Sequence, residues 1–173
     1  MFQKDDMVRY GAHSVCRVVD ITVKDFNGAA VEYYVLRPVY NDTSTIYVPA
    51  HNQALTEKMR KVLSEGEIQA LIHAMPHEES IWIDDEEARR ERYREILAGG
   101  DRAELIRMIK ALYHHQCEQQ AKGRRLHMSD DRFFKEAEKM LHEEFALVLG
   151  IPKEQVLSYI LEQLQTEGQQ DCG

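Results

Sequence analysis

The sequence predicts an α+β protein with a β-rich N-terminal part and an all-α C-terminal part. Short runs of β-branched and aromatic residues dominate the beginning of the chain, whereas apolar residues recur at helical spacing after Leu63. The 43% content of hydrophobic residues is sufficient for a core in each part. We therefore predict one domain at residues 1–63 and an α-helical domain at residues 64–173, in which residues 166–173 form a disordered tail.

The N-terminal domain is expected to contain about five short antiparallel strands. Strand-like composition covers residues 7–23, 29–40 and 44–50, and residues 59–63 can supply a short fifth strand. Asn27-Gly28 predicts a hairpin, because both central residues of a type I′ turn need positive φ. So many short strands in so few residues are typical of a small antiparallel barrel.

Helical spacing after Leu63 predicts several helices joined by short links, as in a compact bundle. Residue types that favour helix starts mark where these helices begin. The expected starts or caps are Ser64, Asp84 or Asp85, Asp101, Ser129 and Pro152. The expected ends are Pro76, Gly99-Gly100, Gly123 and Gly150.

Composition excludes several classes of function. A net charge of −8 argues against a protein held on nucleic acid by bulk charge. Three cysteines without a CxxC motif, no apolar run long enough to span a membrane and no signal segment indicate a cytoplasmic protein without membrane contact. His73 and His77 have metal-ligand spacing, but Pro76 breaks the helix between them, so no metal site is expected. Without a catalytic motif, we expect no enzyme activity, cofactor or small-molecule substrate.

The most unusual segment is the charged helix after the only tryptophan, Trp82. Arg90 and Arg94 lie one turn apart on this helix, and a second basic stretch, 122–125, precedes the next long helix. Ion pairs such as Glu86 with Arg90 explain such a run as a solvated face. Trp82 can equally be a hydrophobic staple that packs back on its helix. The residue types leave both alternatives open.

Four stretches in this order resemble the CarD family of bacterial transcription regulators over about residues 1–150. They are "KDDMVRYGAHSVCRV", "VEYYVLRPVYNDTSTIYVPAHN", "WIDDEEARRERYREILAGGDRAELIRMIKALY" and "DDRFFKEAEKMLHEEFALVLGI". The "STIYVP" form and the "W…R..RY.EIL..GD" spacing resemble the branch found in Firmicutes.

The resemblance implies a Tudor-like N-terminal barrel, shared with transcription-repair coupling factor, that binds the β subunit of RNA polymerase. Lys24, Phe26 and Tyr47 are the expected contact residues, although the position of Tyr47 is often arginine in the family. The helical domain would contact promoter DNA at the upstream edge of the melted bubble and modulate open-complex stability. Its expected contacts are Trp82 as a minor-groove wedge and Arg90, Arg94, Lys122, Arg124 and Arg125 on phosphates. The alternative is an adaptor that binds polymerase or another protein and whose acidic helical domain does not contact DNA.

Overall fold

The computed structural model describes residues 1–11, 13–40 and 43–165, which divide between two units. The first unit is Met1–Val62, and the second begins at Leu63. Every strand in the described part of the chain lies in the first unit, and the long helices lie in the second, so the α+β class is confirmed. The predicted tail, residues 166–173, lies outside the described residues.

The first unit contains one antiparallel sheet. Its strands are β1 (Met7–Tyr10), β2 (His13–Phe26), β3 (Ala29–Pro38), β4 (Ile46–Pro49) and β5 (Met59–Lys61). Their order across the sheet is β4-β3-β2-β1-β5, so β4 and β5 are its edges. The closed, Tudor-like barrel that was expected is therefore not confirmed. Closure requires the two edge strands to pair with each other, and at four and three residues they are short for this purpose.

The β2–β3 hairpin turns at Asn27-Gly28, as predicted. Both residues have positive φ, 54° and 81°, which is the geometry of a type I′ turn. The hairpin pairs continuously from this turn down to Cys16, apart from a register shift between Val18 and Asp20. Cys16 is fully buried and belongs to the core of this unit, as its strand position indicated.

A short helix, α1 (Gln53–Thr56), lies between β4 and β5 and was not predicted. The second unit contains five further α-helices and two short 3₁₀ turns among the described residues. The helices are α2 (Glu65–Ala74), α3 (Glu86–Gly99), α4 (Arg102–Ala121), α5 (Met128–Leu149) and α6 (Val156–Gln165). The 3₁₀ turns are Met75–His77 and Lys153–Gln155. No helix in this part of the chain is long and apolar enough to cross a membrane.

Most of the predicted helix caps are confirmed. Ser64 and Glu67 form a reciprocal capping box at the start of α2. The carboxylates of Asp85 and Asp101 accept hydrogen bonds from backbone N–H groups at the starts of α3 and α4. Gly100 ends α3 in the left-handed conformation, which glycine adopts without steric cost.

Two helix starts differ from the prediction. Ser129 is not an N-cap but lies inside α5, which begins at Met128 after the cap position His127. The carboxylates of Asp130 and Asp131 already stand in the first turn, where they favour the positive end of the helix dipole. Pro152 does not lie in the first turn of α6 but precedes the tighter 3₁₀ turn, and α6 itself begins at Val156.

Helix α5 is the central helix of the second unit. It contributes Phe133, Phe134, Ala137 and Met140 to one cluster of buried residues, which it shares with α3 and α4. It contributes Leu141, Phe145 and Ala146 to a second cluster, which it shares with α2 and α6. A helix that is covered on so much of its circumference buries polar side chains as well, and α5 carries Asp130, Glu143 and Glu144 in buried positions.

Candidate functional site

The three residues predicted to contact RNA polymerase lie on one face of the sheet. In the strand register Lys24 stands opposite Val31, Phe26 opposite Ala29, and Tyr47 opposite Val35. Because side chains alternate between faces along a strand, all of these residues point to the same side. This side is the outer face of the sheet, since the alternate positions Tyr34 and Leu36 belong to the core.

The outer face combines a cation with exposed aromatic rings. Lys24 Nζ lies 3.9 Å from the centroid of the Tyr47 ring, a cation–π distance. Tyr33 packs edge-on against Tyr47, with 6.2 Å between ring centroids. Phe26 is 63% exposed and Tyr47 is 46% exposed. The strand that carries Tyr47, β4, is an edge strand, the position at which a strand from another protein can pair, although Pro49 has no N–H and its carbonyl accepts from the Asn52 N–H at 3.2 Å.

In the second unit, Trp82 belongs to a segment that is held along helix α4. Lys110 Nζ donates to the backbone carbonyls of Met75, Pro76 and Glu78 at 3.2, 3.1 and 2.7 Å. The Glu78 carboxylate accepts from Arg107 Nε at 2.8 Å. These contacts join residues 75–78, which follow α2, to the middle of α4, and they fix the position of the backbone that leads to Trp82.

The Trp82 ring is half-buried and packs against the cluster that α3, α4 and α5 share. The ring of His115 on α4 stacks on it, with 4.0 Å between centroids and 25° between planes. Arg89 Cζ lies over the indole at 4.4 Å from its centroid. The indole Nε1 donates to Asp84 Oδ1 at 3.2 Å. Trp82 therefore has features of both alternatives: it is packed like a staple, and part of its surface remains accessible.

Arg89 forms a buried ion pair that was not predicted from the sequence. Its Nε and Nη2 donate to Asp130 Oδ1 and Oδ2, each at 3.0 Å, and the two side chains are 5% and 0% exposed. Arg89 Nη1 also donates to the carbonyls of Ile83 at 2.9 Å and Asp84 at 3.3 Å. Helical periodicity was a signal for this site, because Arg89 continues the buried series Tyr93, Ile96 and Leu97 on α3.

Tyr93 on α3 holds the backbone next to Trp82. Its hydroxyl donates to the carbonyl of Ile81 at 3.0 Å, and the residue is fully buried. Burial, with the nearby Asp130 carboxylate as a smaller contribution, raises the pKa of the Tyr93 hydroxyl to about 12. The hydroxyl is therefore protonated at neutral pH and able to donate this hydrogen bond.

The predicted phosphate contacts are mostly exposed. Arg90 Nη2 lies 3.9 Å from Glu86 Oε1, the i, i+4 pair that the sequence suggested, and the two side chains are 40% and 51% exposed. Arg94 is exposed on α3. Lys122, Arg124 and Arg125 are exposed in the loop between α4 and α5.

Tertiary contacts bring most of these residues to one end of the helical unit. Trp82 stacks on His115 near the end of α4, and Arg89 binds Asp130 in the first turn of α5. The loop at 122–127 connects these two helix ends, so it lies at the same end of the unit as Trp82 and Arg90. Four exposed acids at the start of α3 share this end: Asp84, Asp85, Glu86 and Glu87. The local charge is therefore mixed.

Within the described residues there is no group of three or more histidine, cysteine or acidic side chains that could hold a metal ion. Helix α2 ends at Ala74, and His77 lies in the 3₁₀ turn that follows, so Pro76 separates His73 from His77 as the sequence indicated.

The comparison with protein families concerns the first unit. Residues 2–63 match the model of the family described as CarD-like/TRCF RID domain. The matched residues include all five strands and the outer face around Lys24 and Tyr47. No curated protein matches the chain. Residues 2–63 are therefore similar to the CarD-like/TRCF RID domains.

Proposed function

We propose that the protein is a bacterial transcription regulator with a polymerase-binding unit and a DNA-contacting unit. The first unit binds the β subunit of RNA polymerase. The helical unit contacts promoter DNA at the upstream edge of the melted bubble and modulates the stability of the open complex. The family match of residues 2–63 supports the polymerase half of this proposal. The partial exposure of Trp82 and the exposed basic residues of the loop between α4 and α5 support the DNA half.

The outer face is the polymerase-binding surface in this proposal. A strand of the β subunit adds to the free edge of β4, where main-chain hydrogen bonds provide affinity. Tyr47, Phe26 and the Lys24 ammonium then contact the side chains of that strand. Lys24 is already ordered over the Tyr47 ring, so little side-chain freedom is lost on binding.

The polymerase half is tested by copurification with RNA polymerase. Lys24→Glu reverses the charge over the Tyr47 ring and should abolish binding, and Tyr47→Ala should weaken it. Lys58→Glu is the matched control, because Lys58 is exposed and directly precedes β5, at the opposite edge of the sheet. Circular dichroism confirms that each variant is folded. Full binding by a folded Lys24→Glu protein would contradict the proposed surface.

The DNA half depends on tethering. A chain of net charge −8 with a few scattered cations neutralises few phosphates, so its free affinity for DNA should be poor. Once polymerase holds the protein at the promoter, the effective concentration of the helical unit is on the order of millimolar. At this concentration even a weak contact between the helical unit and DNA is substantially occupied. Trp82 supplies an apolar ring for a distorted base step, and the arginines position the backbone without reading sequence.

The DNA half is tested by the lifetime of open complexes. Replacement of Lys122, Arg124 and Arg125 by alanine removes exposed charges only, so the fold should be unaffected. The lifetime should shorten, and its salt dependence should weaken by roughly one unit of slope for each phosphate that the variant no longer neutralises. Trp82→Ala should shorten the lifetime as well, while polymerase binding stays unchanged.

A second candidate function is an adaptor whose helical unit does not contact DNA. The four exposed acids beside Trp82 favour this alternative, because they repel phosphate. The packing of Trp82 on His115 and Arg89 favours it too, because a staple needs no DNA. Open-complex lifetimes that are unchanged in both the loop variant and Trp82→Ala, with polymerase binding intact, would select the adaptor.

A further inference from the structure

We infer that Arg89 is the positioning residue of Trp82: through its buried pair with Asp130, it holds the indole in one orientation at the start of α3. Arg89 orients Trp82 already in the protein without polymerase or DNA. The effect of this orientation on transcription rests on the proposed function, in which Trp82 contacts DNA.

The backbone is held on both sides of Trp82. Before it, the Ile81 N–H donates to the Arg107 carbonyl at 3.3 Å, and the Ile81 carbonyl accepts from the Tyr93 hydroxyl at 3.0 Å. After it, Arg89 Nη1 donates to the carbonyls of Ile83 and Asp84. Trp82 thus lies between two fixed peptide units, and only rotation of its side chain is left to be restrained.

Arg89 also restrains that rotation. A guanidinium group can donate from its edge and stack with its face at the same time. The edge of Arg89 is occupied by the Asp130 carboxylate and two carbonyls, while Cζ lies 4.4 Å from the centroid of the indole. Because Asp130 is fully buried in the first turn of α5, the guanidinium cannot move away from the indole without breaking the ion pair. His115 adds a second stacked contact, from α4.

A restrained indole has a functional advantage. A side chain that is ordered before binding loses less conformational freedom when it binds. An apolar ring that is already oriented at the end of the helical unit can therefore contact a distorted base step at lower cost. Loss of Arg89 would leave the indole with its His115 stack and its hydrogen bond to Asp84, and therefore more mobile than in the unaltered protein.

The test in the free protein is acrylamide quenching of fluorescence, which reports Trp82 alone because the chain has one tryptophan. Arg89→Lys keeps the charge but loses the bidentate pair and the planar contact. We expect the quenching constant to rise about twofold or more, since loss of a cation–π contact of this kind shifts the stacked population on the order of fivefold. Arg90→Lys is the matched control, being the more exposed neighbour on the same turn, and should leave quenching unchanged.

A second variant covers the case in which Arg89→Lys fails to fold. Arg89→Met combined with Asp130→Leu replaces the buried pair by apolar side chains of similar volume, a change that cores often tolerate. Circular dichroism measures the fold separately from the indole. A folded double variant with increased quenching supports the positioning role. A folded double variant with the quenching constant of the unaltered protein would overturn it, since Arg89 would then be only structural.

Open-complex lifetimes separate this inference from the proposed function. If Trp82→Ala changes no lifetime, the DNA contact of Trp82 is wrong, and quenching still decides the role of Arg89. If Trp82→Ala shortens the lifetime and the double variant shortens it too, at unchanged polymerase affinity, the positioning role extends to transcription. If Trp82→Ala shortens the lifetime but a double variant with a mobile indole leaves it unchanged, positioning of Trp82 by Arg89 has no role in transcription and the inference fails.

Discussion

Replacement of Asp130 by alanine should destabilise the helical unit far more than the same change at its neighbour Asp131. Both carboxylates stand in the first turn of α5, so both interact with the helix dipole. Their side chains differ in surroundings. Asp130 is fully buried and binds Arg89 through both oxygens, whereas the Asp131 side chain is 41% exposed and pairs with Lys135 at 2.8 Å.

The magnitude follows from what each substitution leaves behind. Asp130→Ala leaves the Arg89 guanidinium buried without its carboxylate, and removal of one partner of a buried pair costs about 3–5 kcal/mol. Asp131→Ala breaks a surface i, i+4 pair, which is worth about 0–1 kcal/mol. Loss of the interaction with the dipole, roughly 0.3–1 kcal/mol, is common to both changes and cancels in the comparison.

The assay is urea unfolding followed by tryptophan fluorescence. Trp82 is the only tryptophan and lies in the helical unit, so its signal reports that unit separately from the sheet. With an m-value of about 2 kcal/mol/M, Asp130→Ala should lower the midpoint by roughly 2 M and Asp131→Ala by less than about 0.5 M. Far-UV circular dichroism provides a second probe of the same transition.

Equal midpoints for the two variants would contradict a structural role for the buried Arg89–Asp130 pair. They would mean that the Arg89 guanidinium finds water or another acceptor once the carboxylate is gone. A partial rescue by Arg89→Met in the Asp130→Ala background is expected, because it removes the stranded charge. Further destabilisation in that double variant would also contradict the account.

Three other substitutions have definite expected outcomes. Lys110→Met removes three hydrogen bonds to the carbonyls of segment 75–78 and should lower the stability of the helical unit by about 2–3 kcal/mol. Lys135→Met is the control and should lower the stability by under about 0.5 kcal/mol. The urea midpoints of the two variants test this difference. Gly28→Ala puts a Cβ at φ 81° and should destabilise the sheet by about 1–2 kcal/mol, which amide hydrogen exchange in β2 and β3 can measure. Burial raises the pKa of the Glu143 carboxyl, so the folded state binds its proton more tightly than the unfolded chain does, and stability falls as pH rises from the unfolded-state pKa through the folded-state pKa. Glu143→Gln should therefore raise the urea midpoint at neutral pH and reduce its pH dependence on the acid side; an unchanged pH profile would argue against this.

The local turns and helix caps of this protein were predictable without the structure. The Asn27-Gly28 turn, the Ser64–Glu67 capping box and the caps at Asp85 and Asp101 all appear where the residues indicated. Each depends on backbone conformations and hydrogen bonds between residues at most a few positions apart. Such interactions are available in any fold that contains the segment, so residue type and spacing suffice to predict them.

The face that we propose for polymerase binding could be predicted in part from the sequence. Lys24 and Phe26 are two residues apart on one strand, so their common face follows from strand periodicity. That Tyr47 joins them, with its ring under the Lys24 ammonium, depends on how β4 pairs with β3. The family match supports the function of this unit, but it does not identify the side chains that bind.

The sheet order and the surroundings of Trp82 could not be predicted from the sequence, because they depend on packing between distant segments. Whether β4 and β5 meet depends on the lengths and register of strands that are distant in sequence, and they do not pair. Arg89 and Asp130 are 41 positions apart, and nothing local distinguishes Arg89 from its more exposed neighbour Arg90 except the phase of the buried positions on α3. An arginine on one helix forms a buried ion pair only when another helix presents a carboxylate at hydrogen-bonding distance. This pairing depends on how the helices pack, because packing removes water from the two side chains and fixes the distance between them.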